Sequence, residues 1–327
     1  MKTTIDANLS ALPGKSPRNL PDAAAVAEAR SLLARTVFTE HAFELQGSAS
    51  GWSGMLCFRV RALGRLAHLK LSPPSSLLPG GRVAQEIDNA RWAAEQGMAP
   101  KVLWADSDHQ ALLTEFVSDD ARASQGTRLW GPVTKATIRA LFALHHSEQG
   151  AVRAYQAAAA REQLDKEIDA ALITKRPAPL DLEQIRRMGY ELVDRLSQFP
   201  VRESLCHGDM NGCNSIFHKD RVFLIDWTQL KVGDPICELA YLGAHLGCEM
   251  AQTRRLWLSY AVGGKAPQEG LKQLRLQLAL FHCNRYAMRV TGMPWHNEAN
   301  RGKDLSRATR QLADDAQTLG LLEGALS

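Results

Sequence analysis

The sequence of 327 residues has no apolar run that approaches membrane-spanning length and no pair of cysteines in a CxxC spacing. Its charge is nearly balanced, with 39 Lys and Arg against 35 Asp and Glu, and no long block of one sign occurs. These absences argue against a membrane protein, a tight zinc-ligand scaffold and a nucleic-acid-binding protein with a concentrated basic stripe.

The first 20 residues lack the apolar core of a signal peptide. They contain Pro13-Gly14 and Ser16-Pro17, which are typical of a mobile N-terminal segment. We therefore expect a cytoplasmic protein. In that compartment free thiols are more common than disulfides, and the six cysteines are scattered along the chain, at positions 57, 206, 213, 237, 248 and 283. Nothing in the sequence indicates an oligomeric state.

The composition, 45% hydrophobic and 23% charged, is that of an ordinary soluble globular protein, and the length predicts about two domains or lobes. Strand patterns dominate up to residue 117, whereas helical periodicity dominates afterwards. We predict lobes at 1–117 and 118–327. The helical patterns cover residues 22–36, 83–96, 135–146, 151–173, 182–197, 236–246, 271–290 and 304–322.

Three polar residues in one short stretch carry the strongest chemical signal: Asp209, Asn214 and Asp226. Asp226 directly follows the apolar run 222–225, which predicts a buried strand. A carboxylate at the end of a buried strand is costly unless something pairs with it. A divalent metal would do so, because Mg²⁺ binds carboxylates together with substrate phosphates.

The spacing of these residues is that of a kinase catalytic loop, in which His-x-Asp is followed after four residues by Asn and then by an Asp on the next hairpin. Here the pattern is His207-Gly208-Asp209, Asn214 and Asp226. In this interpretation Asp209 orients the acceptor hydroxyl, and Asn214 and Asp226 hold the metals.

The stretch resembles the aminoglycoside phosphotransferase and choline kinase-like family of small-molecule kinases. The family pattern is present in His207-Gly208-Asp209, in Ile225-Asp226-Trp227 and in residues 233–240, Gly-Asp-Pro-Ile-Cys-Glu-Leu-Ala. The resemblance implies an α+β, two-lobed protein-kinase-like fold, with a small antiparallel sheet in the N-terminal lobe and a larger, mainly helical C-terminal lobe. It also implies ATP or GTP as co-substrate and Mg²⁺ as cofactor.

A Gly/Ser-rich segment between two predicted strands, 43–46 and 55–60, is a candidate phosphate-binding hairpin turn. It offers Gly47, Ser48, Gly51 and Gly54, whose backbone could approach an anion closely. A plain hairpin turn has the same composition, so the assignment depends on the position upstream of the catalytic loop.

Lys70 alternates with apolar neighbours in the predicted strand 65–71, and we expect it to contact the nucleotide phosphates and to pair with Glu86 of the helix 83–96. A solvated lysine and a surface glutamate are the alternatives. From the resemblance we also assign Glu115 and Val117 to the hinge, where backbone groups would hold adenine.

Other polar residues of the C-terminal lobe are expected to be structural. His145 and His146 are predicted to cap or pack the end of a helix, and Asp234 to cap the helix that follows it. A zinc site at Cys206, His207, Cys213 and His218 is disfavoured because the spacing is not that of a zinc motif.

These features predict a kinase that phosphorylates an alcohol group of a small molecule. Choline, ethanolamine, thiamine, a sugar and an aminoglycoside all stay open as acceptors, and no nucleic-acid or membrane partner is expected. Two further readings stay open: a non-catalytic nucleotide-binding scaffold, and a protein kinase, which the short interval from Asp226 to Glu238 disfavours because it cannot hold an activation segment.

Overall fold

The computed structural model describes residues 23–34, 43–50, 56–62, 65–71, 82–106, 111–119, 131–211, 214–261, 268–292 and 301–321. The chain forms two compact units. Unit 1 comprises Met1–Asp119 together with Phe223–Gln229, and unit 2 comprises Asp120–Val222 together with Leu230–Ser327. The short segment that carries Asp226 thus belongs to the unit formed by the beginning of the chain.

Unit 1 contains a five-stranded antiparallel sheet in the order β1-β2-β3-β5-β4. Its strands are β1 (Phe43–Ser50), β2 (Leu56–Ala62), β3 (Arg65–Leu71), β4 (Val102–Asp106) and β5 (Ala111–Glu115). One face of β3 presents Ala67, Leu69 and Leu71 to the core, where helix α1 (Ala23–Leu33) also packs. Because strand side chains alternate between faces, Lys70 lies on the other face.

The β1–β2 hairpin is present, but β1 is longer than predicted. Gly47 and Ser48, expected in the turn, lie in the strand, and the pairing with β2 shifts between Gln46 and Ser48. Glycine without a side chain tolerates the extra residue of such a bulge. The other two predicted turn residues, Gly51 and Gly54, lie outside the described residues.

Helix α2 (Arg82–Glu95) of unit 1 packs against the segment 223–229. The Leu224 amide donates to the carbonyl of Met98 at 2.8 Å. The buried Trp227 contacts Trp92 edge-to-face, with ring centroids 6.3 Å apart, and its carbonyl accepts from Asn89 Nδ2 at 2.9 Å. These contacts fix the backbone on both sides of Asp226.

Unit 2 is mainly helical. Its helices are α3 (Pro132–Ser147), α4 (Ala157–Ile173), α5 (Leu182–Leu196), α6 (Pro235–Leu246), α7 (Thr253–Tyr260), α8 (Gln268–Thr291) and α9 (Arg301–Leu319). Helices α4, α5, α8 and α9 share one apolar core.

A small sheet, in the order β10-β7-β6, contains β6 (Gln149–Ala154), β7 (Pro200–Cys206) and β10 (Lys231–Gly233). Strand β8 (Ser215–His218) follows the loop of Asp209, and β9 (Arg221–Leu224) carries the chain from unit 2 into unit 1.

The predicted helix 151–173 was wrong at its start, because residues up to Ala154 belong to strand β6. The alanines and other apolar residues of this stretch fit a helix. The first of them form a strand instead, because β6 pairs with β7, which lies some fifty residues later in the sequence. Tertiary pairing overrides local propensity in this way.

No helix within the described ranges is both long and apolar enough to span a bilayer. Five of the six cysteines lie in those ranges, and all five are free thiols. The sixth, Cys213, lies outside them.

Candidate active site

In unit 1 the ammonium group of Lys70 lies between two carboxylates. Its Nζ is 2.6 Å from Glu86 Oε2 and 2.9 Å from Asp226 Oδ1. The expected pairing of Lys70 with Glu86 is therefore present. Burial favours the neutral amine, but the charges of Glu86 and Asp226 outweigh it and raise the pKa of Lys70, which stays a cation.

Glu86 faces inward on α2, in the same stripe as Ile87, Ala90 and Ala93, and is only 3% exposed. Burial raises the pKa of its carboxyl group, Lys70 opposes that rise, and the charge of Asp226 adds to it. Glu86 depends on the lysine to stay ionised. It is not the surface glutamate that the sequence also allowed.

Asp226 has the left-handed backbone angle φ = 67°, which is unusual for a residue with a side chain. Besides Lys70, its Oδ1 accepts a hydrogen bond from Thr228 Oγ1 at 2.7 Å. The buried flanks at Leu224 and Trp227 hold this conformation, which turns the chain sharply at the end of β9. Such strained residues are concentrated at functional sites.

In unit 2 the carboxylate of Asp209 accepts three hydrogen bonds from the residues that the structure describes. Asn211 Nδ2 and Tyr241 Oη donate to Oδ1 at 3.1 and 3.0 Å, and Asn214 Nδ2 donates to Oδ2 at 3.0 Å. Asn214 Nδ2 also binds the Asp209 carbonyl at 2.8 Å. The preceding Gly208 has φ = 85°, a conformation that glycine adopts without strain. The carboxylate is thus fixed in one orientation.

Helix α6 holds the loop of Asp209 in place through the side chain of Glu238. The Glu238 carboxylate accepts from the backbone amides of His207, at 2.9 Å, and Gly208, and it contacts His145 Nε2 at 2.8 Å. His145 Nδ1 in turn lies 2.6 Å from Tyr260 Oη. Burial alone would raise the pKa of Glu238, but the hydrogen bond and charge of His145, with the backbone bonds, lower it. Glu238 is a buried carboxylate that positions the loop.

His145, Cys206 and Glu238 bring three potential metal-ligand atoms within 4.8 Å of one another. The hydrogen bonds explain this cluster without a metal, because the Glu238 oxygens are already used. Burial raises the pKa of the Cys206 thiol, followed by the charge of Glu238, so the thiol stays protonated and points its hydrogen at the Ser204 carbonyl. A metal would require the thiolate.

Asn214 and Asp226 fit Mg²⁺ by the chemistry of their donors. Both hydrogen bonds of the Asn214 side chain use Nδ2, which leaves the amide oxygen as its ligand atom. Asp226 offers a carboxylate, and amide and carboxylate oxygens are ordinary Mg²⁺ ligands. Their metal-binding role stays a prediction.

The two predicted hinge residues lie at the end of β5. The Glu115 amide donates to the Lys101 carbonyl at 2.9 Å, and its carboxylate accepts from the Lys101 amide at 3.0 Å. Glu115 therefore bridges β4 and β5, and its side chain has a structural partner. Val117 follows two residues later. Adenine binding by the backbone of Glu115 and Val117 stays a prediction, as does phosphate binding by Gly47 and Ser48.

Sequence reasoning missed Tyr241 and the anchoring role of Glu238. Glu238 stands in the recognised Gly-Asp-Pro-x-x-Glu motif, and Asp234 of the same motif caps α6 through the Ile236 amide at 2.8 Å, as predicted. Tyr241 lies one turn beyond Glu238 on α6, so its proximity to the loop could have been inferred from helical spacing.

His145 and His146 are packing residues, as predicted: His146 Nδ1 bonds the Phe142 carbonyl at 2.8 Å.

Known proteins resemble this chain at the level of family and fold. The model of the phosphotransferase enzyme family matches residues 44–268. No curated protein sequence matches the chain significantly.

Solved structures share the fold. A choline/ethanolamine kinase family protein from Mesorhizobium loti is 18% identical, with a TM-score of 0.62, over 90% of this chain and 98% of that chain. Choline kinase from Streptococcus pneumoniae is 16% identical, with a TM-score of 0.59, over 89% and 99%. Spectinomycin phosphotransferase, solved with ADP and spectinomycin, is 13% identical, with a TM-score of 0.55, over 94% and 100%.

These likenesses confirm the predicted α+β protein-kinase-like fold, with its small antiparallel sheet and larger helical part. The family match extends over more than half of the chain and includes every residue of the candidate site. The chain belongs to the phosphotransferase enzyme family.

Proposed function

We propose that this protein transfers the γ-phosphoryl group of ATP or GTP to a hydroxyl group of a small molecule. The acceptor oxygen attacks the γ-phosphorus while the bond to the β–γ bridging oxygen breaks. That oxygen leaves with its electron pair on ADP or GDP, and the hydroxyl proton passes to Asp209.

The orientation of Asp209 supports this proposal most. Three side-chain donors hold its carboxylate, and Glu238 fixes the backbone before it. A group that must align an acceptor oxygen gains from being fixed in advance, because misalignment by an ångström is costly.

The assigned nucleotide-binding roles belong to Lys70, Glu86 and Asp226. Lys70 would contact phosphate oxygens while Glu86 keeps it charged and in place. Mg²⁺ at Asn214 and Asp226 would neutralise phosphate charge when bound. In support, LicA, the name that the choline kinase above also carries, has been solved in complex with AMP, and spectinomycin phosphotransferase with ADP. A cytoplasmic location, where such nucleotides are abundant, stays part of the proposal.

The test is incubation of the purified protein with Mg²⁺-ATP or Mg²⁺-GTP and a pooled panel of hydroxyl compounds, read by mass spectrometry as the gain of one phosphoryl group. Asp209→Asn should lower turnover by about 10²- to 10⁴-fold, because general-base and positioning effects have that size. Nucleotide binding should persist in this variant. The exposed Asp314→Asn on α9 is the matched control.

Full turnover by Asp209→Asn would refute the assigned role. A chain that neither binds nucleotide nor transfers phosphate would refute the proposed function and would leave a scaffold role.

A further inference from the structure

The carboxylate of Asp226 receives two hydrogen-bond donors on the same oxygen. Lys70 Nζ lies 2.9 Å from Oδ1, and Thr228 Oγ1 donates to Oδ1 at 2.7 Å. Because a carboxylate oxygen offers about two lone-pair sites, these two donors use those of Oδ1. The side chain of Asp226 is 32% exposed, against 12% for Lys70, so solvent reaches the carboxylate. A metal ion would therefore bind it through the other oxygen, Oδ2.

The backbone holds Thr228 beside this carboxylate. Asp226 turns the chain with φ = 67°, and Trp227–Gln229 form a short 3₁₀ turn directly after it. The ring of Trp227, between the two residues, is buried, and its Nε1 donates to the Leu224 carbonyl at 2.9 Å. The main chain that carries Asp226 and Thr228 is thus anchored in unit 1, and the fold determines where the Thr228 hydroxyl lies.

The two donors differ in what else they bind. Lys70 is shared with Glu86, 2.6 Å away, and in the proposed function it also contacts phosphate oxygens. Its ammonium group lies at the end of a long, flexible side chain. Thr228 lies only two residues from Asp226, and its β-branched side chain has restricted rotation about χ1. Thr228 is therefore the donor that can keep the carboxylate in one orientation while Lys70 contacts a nucleotide.

We infer that Thr228 is a positioning residue, whose hydroxyl fixes the Asp226 carboxylate so that Oδ2 faces Mg²⁺. This inference rests on the proposed function and extends it to a residue that the recognised motifs do not include. Groups that bind the ligands of a metal orient those ligands, and their loss typically lowers metal affinity by about 10- to 100-fold. Without the hydroxyl the carboxylate can rotate about its Cβ–Cγ bond and exchange its two oxygens, which weakens the contact with the metal.

The first experiment measures metal binding without turnover. Mn²⁺, which takes the same oxygen ligands as Mg²⁺, is titrated into the purified protein without nucleotide or acceptor, and the free ion is measured by electron paramagnetic resonance. Thr228→Val removes the hydroxyl and keeps the shape of the side chain, whereas Thr228→Ser keeps the hydroxyl. We expect the dissociation constant of Mn²⁺ to rise by about 10- to 100-fold in Thr228→Val. It should return close to the wild-type value in Thr228→Ser.

The second experiment separates this effect from a general loss of structure. The affinity for a non-hydrolysable analogue of ATP or GTP is measured by calorimetry, first in EDTA and then over a series of Mg²⁺ concentrations. In Thr228→Val we expect the affinity in EDTA to be unchanged and the Mg²⁺ concentration that gives half of the maximal enhancement to rise. Thr228→Ala removes the same hydroxyl and is measured alongside, with the melting temperature of each variant in EDTA.

Thr291→Val is the matched control. The Thr291 hydroxyl also makes a local hydrogen bond, to the Ala287 carbonyl at 3.0 Å, but it lies on α8 in unit 2. Its removal should leave the Mn²⁺ and the Mg²⁺ measurements unchanged.

The outcomes separate the two proposals. Wild-type metal affinity in both Thr228→Val and Thr228→Ala overturns the inference, and so does a nucleotide affinity that falls equally in EDTA and in Mg²⁺, because that result marks a structural effect. A wild-type protein that binds no divalent ion, with or without the nucleotide analogue, also overturns it. Metal binding that depends on Thr228 in a protein that transfers no phosphate supports the inference and refutes the proposed reaction. Phosphoryl transfer with the same Mg²⁺ dependence in Thr228→Val and wild type does the reverse.

Discussion

Lys70 Nζ lies 2.9 Å from Asp226 Oδ1, although 156 residues separate the two in sequence. The same ammonium group lies 2.6 Å from Glu86. One cation therefore pairs with two carboxylates, that of Glu86 on α2 and that of Asp226 just after β9. Both contacts lie inside unit 1. One largely buried cation therefore brings Glu86 and Asp226 together.

Replacing this cation should destabilise the protein. In Lys70→Met the Glu86 carboxylate stays buried without its partner, and the loss of one member of a buried pair costs about 3–5 kcal/mol. The free energy of unfolding, measured in urea at pH 7, should fall by this amount. The affinity for nucleotide should fall as well. Adding Glu86→Gln should recover part of the stability but none of the affinity. The exposed Lys101→Met is the control, and an equal effect of the two lysine variants would contradict the prediction.

Removing the hydroxyl of Tyr241 should impair turnover more than nucleotide binding. Tyr241→Phe deletes one of three donors to Asp209, and a hydrogen bond to a charged group is worth about 1.5–3 kcal/mol. We expect kcat to fall by about 10-fold with nucleotide affinity unchanged. Tyr190→Phe removes a similar contact, from Tyr190 Oη to Asp165 at 2.8 Å, and should leave kcat unaltered. Unchanged kcat in Tyr241→Phe would show that two donors suffice.

Glu238 should contribute to the acid sensitivity of the fold. Its pKa in the folded protein is lowered, so its stabilising contribution is present above the unfolded value of about 4.3 and is lost as the pH falls through the folded value. Glu238→Gln should be less stable than wild type at pH 7, and this difference should shrink as the pH falls below about 4.3. Unfolding midpoints in urea between pH 3 and 7 test this, with the exposed Glu162→Gln as control. A constant difference across this range would contradict the assignment.

The contact between α4 and α5 depends on the absence of a side chain at Gly189. A Cβ there would overlap with the side chain of Leu164, which is fully buried. Gly189→Ala should therefore destabilise unit 2 by about 1–3 kcal/mol, the usual cost of overpacking. Combining it with Leu164→Ala should cost less than the sum of the single changes, since the second change removes the overlap. Additive costs in thermal or urea unfolding would refute the overlap.

The sequence was sufficient where a local pattern determines which way a side chain faces. Strand alternation placed Lys70 on the face opposite Leu69 and Leu71, and the helical pattern placed Glu86 at the edge of the apolar stripe of α2. The pairing of the two was predicted from the kinase pattern. The catalytic-loop spacing led to the family and, through it, to the fold that the comparisons confirm.

Where distant segments meet, local patterns gave too little information. Strand β6 resembles a helix in composition because its partner β7 lies far away in sequence. No motif marks Tyr241, and the Gly-Asp-Pro-x-x-Glu motif marks Glu238 without indicating that its carboxylate binds the loop of Asp209.

The membership of residues 223–229 in unit 1 has a consequence for how the protein is made. Its sheet is synthesised first, yet Asp226, Trp227 and Leu224 leave the ribosome only after about 110 further residues. At roughly 5–20 residues per second, this delay lasts on the order of ten seconds. During that time Lys70 and Glu86 lack the third member of their cluster. Conditions that prolong translation of this interval should expose the nascent sheet to proteases and chaperones for longer.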